Sequence, residues 1–167
     1  MSRLTAAAAI VALCAAALVA PAAAAPDVED HCVVRVVDQL DSGELVVSEP
    51  DCYSTFDAAM AAEGVDAWGE GASARVESAA ATFTIGTHYD GAGFTGSSMS
   101  VVGSNCAGGW VNVASNWNNR ISSTLNGCPR IRHYSGYSLT GSFESTLSPG
   151  GNLGPLNNQT SSLQYLT

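Results

Sequence analysis

The chain has 167 residues, a formal net charge of −9 and a hydrophobic content of 46%. Its six basic residues are all arginine, so there is no lysine for a phosphate loop and no basic stripe, and nucleic acid is excluded as an expected partner. The acid is uneven: of fifteen carboxylates only Asp90 and Glu144 follow residue 80, and solvating a surface is the plain use of the rest.

Residues 1–24 read as a secretory signal peptide. Arg3 precedes an Ala/Val/Leu run, and Ala22-Ala23-Ala24 supplies the small residues of a cleavage box ahead of Pro26. The run is shorter than the roughly 20 apolar residues a spanning helix needs, and no second apolar segment follows. The expectation is a secreted, extracellular protein with no membrane span. Beyond the leader lie Cys32, Cys52, Cys106 and Cys128. An even number in an exported chain reads as two disulfides; three pairings are possible, and the local one, Cys32 with Cys52 and Cys106 with Cys128, is expected here. A zinc site is the rival reading, but neither pair has Cys-x-x-Cys spacing.

Residues 25–79 form an N-terminal unit, read as a small α+β segment. The β-branched run of Val33, Val34, Val36 and Val37, a turn at Asp41-Ser42-Gly43 and the stretch Glu44-Leu45-Val46-Val47 predict a hairpin. After Cys52, Ser54 and Asp57 look like the start of a capping box. Phe56 to Ala62 are mostly good helix formers that end at Gly64, so one short helix is predicted. Residues 64–79, rich in Gly, Ala and Glu with Trp68 as the large aromatic, read as a linker, and a domain boundary is placed there.

Residues 80–167 change character. Phe83, Ile85 and Tyr89 alternate with Thr82, Thr84 and His88, and further strands are expected at 99–102, 110–113, 130–134, 143–147 and 162–166, separated by Gly, Ser, Asn and Pro. Many short strands with such punctuation predict an all-β sandwich, with Trp110 and Trp117 as core or corner residues.

Two elements recur within this part. Asn118-Asn119-Arg120-Ile121-Ser122-Ser123 returns as Asn157-Asn158-Gln159-Thr160-Ser161-Ser162. Each copy sets amide, carbonyl and hydroxyl oxygens at alternate positions, neutral hard donors of the kind Ca²⁺ prefers. Loop composition alone would explain one copy. Yet each copy follows a matching upstream element, His88-Tyr89 to Gly96 and His133-Tyr134 to Gly141. In both, a Tyr is followed five residues later by Phe94 or Leu139 and seven later by Gly, which predicts a folded-back hairpin with Gly at positive φ.

Over roughly residues 80–167 these motifs resemble the βγ-crystallin family in its microbial, calcium-binding form, of secreted actinobacterial type. That family's signature is aromatic, four spacers, aromatic, one spacer, Gly, joined later by Asn/Asp-Asn/Asp-x-x-Ser/Thr-Ser. Tyr89, Phe94, Gly96 and residues 118–123 fit it in full; Tyr134, Gly141 and residues 157–162 fit with Leu139 in place of the second aromatic. The resemblance implies two Greek keys packed about a pseudo-twofold axis. It also implies a double clamp for calcium ions. One site would use the Arg120 carbonyl, the Ser122 hydroxyl and the Asn158 side chain, and the other the Gln159 carbonyl, the Ser161 hydroxyl and the Asn119 side chain. Carbonyls of Asp90 and Ser135, with water, would complete the shells. All four Asn positions are neutral and Arg120 adds a positive charge, so affinity is expected in the weak extracellular range, roughly 10⁻⁴ to 10⁻³ M. A glycosylation sequon at Asn158-Gln159-Thr160 overlaps this loop and is discounted.

No Gly-x-Ser-x-Gly elbow and no His-Glu-x-x-His occurs, and His88 and His133 hold equivalent repeat positions, so a structural or binding module is expected rather than an enzyme. The alternative is a secreted protease inhibitor, because some actinobacterial metalloprotease inhibitors look like single crystallin-type domains with two disulfides. Ser104 to Trp110 is then the candidate loop, and an extracellular protease the partner.

Overall fold

The computed structural model describes residues 30–64 and 82–167. The expected leader, the linker beyond Gly64 and Trp68 lie outside the described residues. The elements are β1 (His31–Gln39), β2 (Leu45–Val47), β3 (Asp51–Tyr53), α1 (Phe56–Ala62), β4 (Phe83–Tyr89), β5 (Ser98–Gly103), β6 (Trp110–Asn112), β7 (Ser123–Asn126), β8 (Arg130–Tyr134), β9 (Phe143–Leu147), β10 (Gly150–Asn152) and β11 (Ser162–Leu166).

One sheet runs β10-β7-β4-β5-β1-β2 with β3 beside β1, and the other runs β6-β11-β8-β9. Strands β4 to β7 and β8 to β11 are two copies of one motif. In each copy the first, second and fourth strands share a sheet while the third crosses over: β6 pairs with β11, and β10 with β7. The result is the expected all-β sandwich of two interlocked Greek keys. Both local disulfides are present, Cys32–Cys52 across the β1–β3 pair and Cys106–Cys128 joining the loops after β5 and β7.

The N-terminal segment belongs to the first sheet, which differs from its reading as a separate unit. β1 runs parallel to β5 over His31 to Arg35. Its side chains alternate, so Val34 joins the central core with Leu45, while Val33 faces outward under α1 and packs with Ala59, Met60 and Val102. Arg35 ties the end of the helix to β3, donating to Glu63 and to Asp51. The helix is capped by Thr55, not Ser54: Thr55 has extended backbone angles and its hydroxyl accepts from the Ala58 N–H at 3.2 Å.

The alternation read into β4 holds only to Ile85. A bulge between Thr84 and Gly86 shifts the register, so Gly86 and His88 face the interior after Ile85, and Tyr89 turns outward against Phe56. Phe83, expected inside, is exposed at the end of the strand. Gly86 is required by packing: a Cβ there would lie 2.7 Å from Ile131 Cδ1. Trp117 is buried in the core. Trp110 is a corner residue, and its indole N–H donates to the Ser42 carbonyl at 3.2 Å.

Candidate metal-binding loops

The two hairpins are built alike. In the first, Gly91 N–H donates to the Thr95 carbonyl at 2.9 Å, Phe94 sits at φ 63° and Gly96 at φ 77°, and the Tyr89 and Phe94 rings lie 6.0 Å apart. In the second, Gly136 N–H donates to the Thr140 carbonyl at 3.0 Å, with Leu139 at φ 60° and Gly141 at φ 80°. With no ring at Leu139, Tyr134 stacks on Phe143 of β9 at 5.6 Å instead.

The last serine of each loop motif, for which the sequence suggested no role, fastens the hairpin. Ser123 Oγ donates to the Gly91 carbonyl at 2.6 Å and accepts from Phe94 N–H at 2.9 Å. Ser162 Oγ donates to the Gly136 carbonyl at 2.7 Å and accepts from Leu139 N–H at 3.1 Å. The exchanged strands add a second tie, since Asn152 of β10 accepts from Gly93 N–H at 2.6 Å and Asn112 of β6 accepts from Ser138 N–H at 2.7 Å. The repeated final serine was the visible signal for the first tie; the two asparagines carry no matching spacing.

Each loop hangs on the other. Asn119 and Asn158 occupy the left-handed region, at φ 59° and 56°, which Asn tolerates better than most residues. Asn119 N–H donates to the Thr160 carbonyl at 3.0 Å, and Asn158 N–H to the Ile121 carbonyl at 2.9 Å. Ser122 N–H donates to the Tyr89 carbonyl at 2.8 Å and Ser161 N–H to the Tyr134 carbonyl at 2.7 Å, which sets each serine beside the hairpin residue expected to complete its site, Asp90 or Ser135.

The side chains then meet across the loops. Ser122 Oγ donates to Asn158 Oδ1 at 3.0 Å, and Ser161 Oγ lies 3.5 Å from Asn119 Oδ1. These are the two hydroxyl and amide pairs expected from the resemblance. Their spacing fits shared ligation: two oxygens each about 2.4 Å from one calcium ion and separated by these distances subtend roughly 77° and 94°, as neighbours in a pentagonal bipyramid do. Among the described residues, no hydrogen bond ends on the carbonyls of Asp90, Arg120, Ser135 or Gln159.

The intervening side chains fold back onto their own loops. Arg120 donates to the Asn116 carbonyl at 2.9 Å, lies 4.9 Å from the centre of the Trp117 ring and pairs with Asp90 at 2.6 Å. Gln159 likewise donates to the Pro155 carbonyl, four residues back, at 3.0 Å. Nothing in the sequence pattern marks the ion pair of Arg120 with Asp90. Among the described residues no group of three or more His, Cys, Asp and Glu is placed to hold a metal. The donors assembled here are amide, hydroxyl and carbonyl oxygens, so any affinity rests on geometry more than on charge.

Between the sheets, near the pseudo-twofold axis, His88 and His133 lie edge to face with ring centroids 5.7 Å apart. His88 bonds Thr124 Oγ1 at 2.6 Å and Tyr165 Oη at 3.1 Å, and His133 bonds Thr146 Oγ1 at 3.3 Å. Burial lowers the His133 pKa to about 3; it also lowers that of His88 well below the usual value, with His133 adding to the effect. Both rings are therefore neutral parts of a buried polar network.

Residues 82–167 are thus a two-Greek-key β-sandwich carrying a pair of reciprocally bonded Asn/Ser loops. No protein-family model and no curated protein matches the sequence. Among solved structures the chain is similar to a βγ-crystallin domain from Clostridium beijerinckii, at 18% identity and a TM-score of 0.40, over 50% of this chain and 99% of that one. It is similar to a βγ-crystallin domain from Flavobacterium johnsoniae at 23% identity and a TM-score of 0.39, over 50% of this chain and 94% of that one. The N-terminal domain of Protein S is matched at 20% identity and a TM-score of 0.40, over 49% of this chain and 94% of that one.

Proposed function

We propose that the protein is a secreted calcium-binding module, in which two ions each draw together a hydroxyl from one loop and an amide oxygen from the other. The observation that carries this reading is the reciprocal placement of Ser122 against Asn158 and of Ser161 against Asn119. A bound ion would supply charge to bridge oxygens that now share only a hydrogen bond, and the protein's part is to hold them at that spacing. The role is structural or binding rather than catalytic. Secretion is supported by the leader-like N-terminus and by both disulfides, which persist in oxidising compartments; among the described residues no helix is long and apolar enough to cross a membrane. Calorimetric titration of the purified protein with calcium, using magnesium as control, should give saturable binding at two sites in the high micromolar to millimolar range. No heat of binding, with a melting temperature indifferent to calcium, overturns the reading.

One observation favours protease inhibition as a second reading. Ser104, Asn105 and Ala107 are exposed on a loop tethered by Cys106–Cys128 and braced by Ala107 N–H to Asn105 Oδ1 and by Gly108 N–H to the Tyr165 carbonyl, both at 2.9 Å. A preorganised exposed loop suits binding to a protease cleft. A panel of extracellular proteases assayed with and without the protein tests it, and inhibition lost on cleaving this loop is the expected signature.

A further inference from the structure

Two of the described arginines are neutralised, Arg35 by Asp51 and Glu63 and Arg120 by Asp90, whereas Arg130 and Arg132 form no ion pair among the described residues. They stand two apart on β8 and so share a face, opposite Leu147 and Ser145 of β9. Phe143 and Leu147 are 57% and 60% exposed beside them. The Arg132 guanidinium rests over the Phe143 ring at 5.1 Å, and its Nε is buried without an acceptor.

Among the described residues β9 is also the last strand of its sheet. Ser135 N–H donates to the Ser142 carbonyl and Ser148 N–H to the Pro129 carbonyl, so the even-numbered residues bond inward and the backbone groups of Phe143, Ser145 and Leu147 point to the open side. A soluble protein ordinarily covers or charges such an apolar edge.

The opposite end of the sandwich carries the complement. The bridge between Glu44 and Trp110 sets the β1–β2 hairpin at the β6 end of the second sheet, across that sheet from β9. On this hairpin Val37, Leu40 and Val46 are 64%, 47% and 38% exposed. Asp38, opposite Val46, Asp41, next to Leu40, and Glu49, just past β2, are also exposed and have no ion-pair partner among the described residues.

We propose that the protein self-associates head to tail, the arginine-flanked β8–β9 edge of one molecule receiving the acidic β1–β2 hairpin of the next. The two patches match in apolar character and oppose in charge. Lying at opposite ends, they meet only between molecules, in a heterologous contact that either closes as a ring or runs on as a filament.

Sedimentation velocity over a concentration series, in EDTA so that calcium cannot bridge carboxylates, tests this. The wild type should associate with rising concentration, and about tenfold more weakly when salt is raised from low to high ionic strength, because exposed charge pairs are screened. Arg130→Glu with Arg132→Glu, and separately Asp38→Arg with Asp41→Arg, should each sediment as a monomer. Mixed in equal amounts they should associate again, since the acidic hairpin of the first meets the intact arginine edge of the second. Circular dichroism verifies folding of each variant; where the double reversal does not fold, Arg130→Gln on the exposed face should raise the dissociation constant severalfold. A wild type that stays monomeric, association that survives the reversals, or a mixture that fails to recover it overturns the proposal.

Discussion

Arg120 donates to the carboxylate of Asp90 at 2.6 Å, joining the first loop to the first hairpin. The pairing occupies the carboxylate of the residue next to Tyr89, whose carbonyl accepts from Ser122 N–H, and the second loop has Gln159 and Ser135 at the equivalent positions. The two proposed sites therefore differ. Replacing Arg120 by Gln should release the carboxylate and strengthen calcium binding at the Ser122 site by about tenfold, because affinity follows ligand charge. Calorimetry measures it. Without calcium the variant should lose no more than about 1 kcal/mol, the range for a partly exposed ion pair.

Asn119→Ala should weaken the site whose hydroxyl comes from Ser161, and Asn158→Ala the site whose hydroxyl comes from Ser122. Binding favours the native state by mass action, about 2.7 kcal/mol per site at a hundredfold excess over the dissociation constant. Melting temperature should rise with millimolar calcium in the wild type and by about half as much in either variant. Loss of both sites from one substitution would instead point to a collapsed loop pair.

Ser123→Ala and Ser122→Ala should behave differently although the residues are adjacent. Ser123 is buried and holds both Gly91 and Phe94, so its removal should cost about 1–3 kcal/mol with or without calcium. Ser122→Ala should cost most of its stability only when calcium is present. Paired melting curves with and without EDTA separate the two.

Repetition made the paired loops and hairpins legible. The Asn-Asn-x-x-Ser/Thr-Ser loops and the Tyr-to-Gly hairpins stand out because each occurs twice, and strands β8, β9 and β11 carry enough apolar or aromatic residues to be read at their observed bounds. Strands β7 and β10, Ser123 to Asn126 and Gly150 to Asn152, carry Ser, Thr, Asn and Gly and look like loops. Their extended form comes from pairing with partners far away in sequence, and propensity yields to that context. The same cause hid the place of β1: a hairpin is local, but its parallel pairing with β5 spans 67 residues from His31 to Ser98. Nor does any local pattern announce the bulge that sends His88 inward.

His88 and His133 make stability fall with acid. Their pKa values are lowered in the fold by burial, while the unfolded chain takes up protons near pH 6.5. Stability they provide is fully present above about pH 6.5 and drains as pH drops, for His133 down to about 3, at up to about 1.4 kcal/mol per pH unit for each ring. Denaturation midpoints measured from pH 7 to 4.5, above most carboxylate titration, should show this slope, and His133→Gln should flatten it by about half.

Deleting residues 26–64 should leave a folded but weaker protein. Both four-strand sheets of the Greek keys and the Cys106–Cys128 bridge remain within residues 82–167. The deletion uncovers the β5 edge and the outward side chain of Val102, and burial of each such side chain contributes about 1.5–3 kcal/mol. A β-type far-ultraviolet spectrum with a melting temperature lowered by ten degrees or more is expected. A fragment without structure would show that β1 is indispensable.

The exchange of β6 and β10 bears on how this chain reaches its fold. Neither motif owns a whole sheet, since each completes its partner's: β6 beside β11 and β10 beside β7. Half of the sandwich made first, as on a ribosome, has no place to lodge β6 until β11 emerges about fifty residues later. Pairing of β6 therefore waits on β11, a non-local contact of the kind that slows folding.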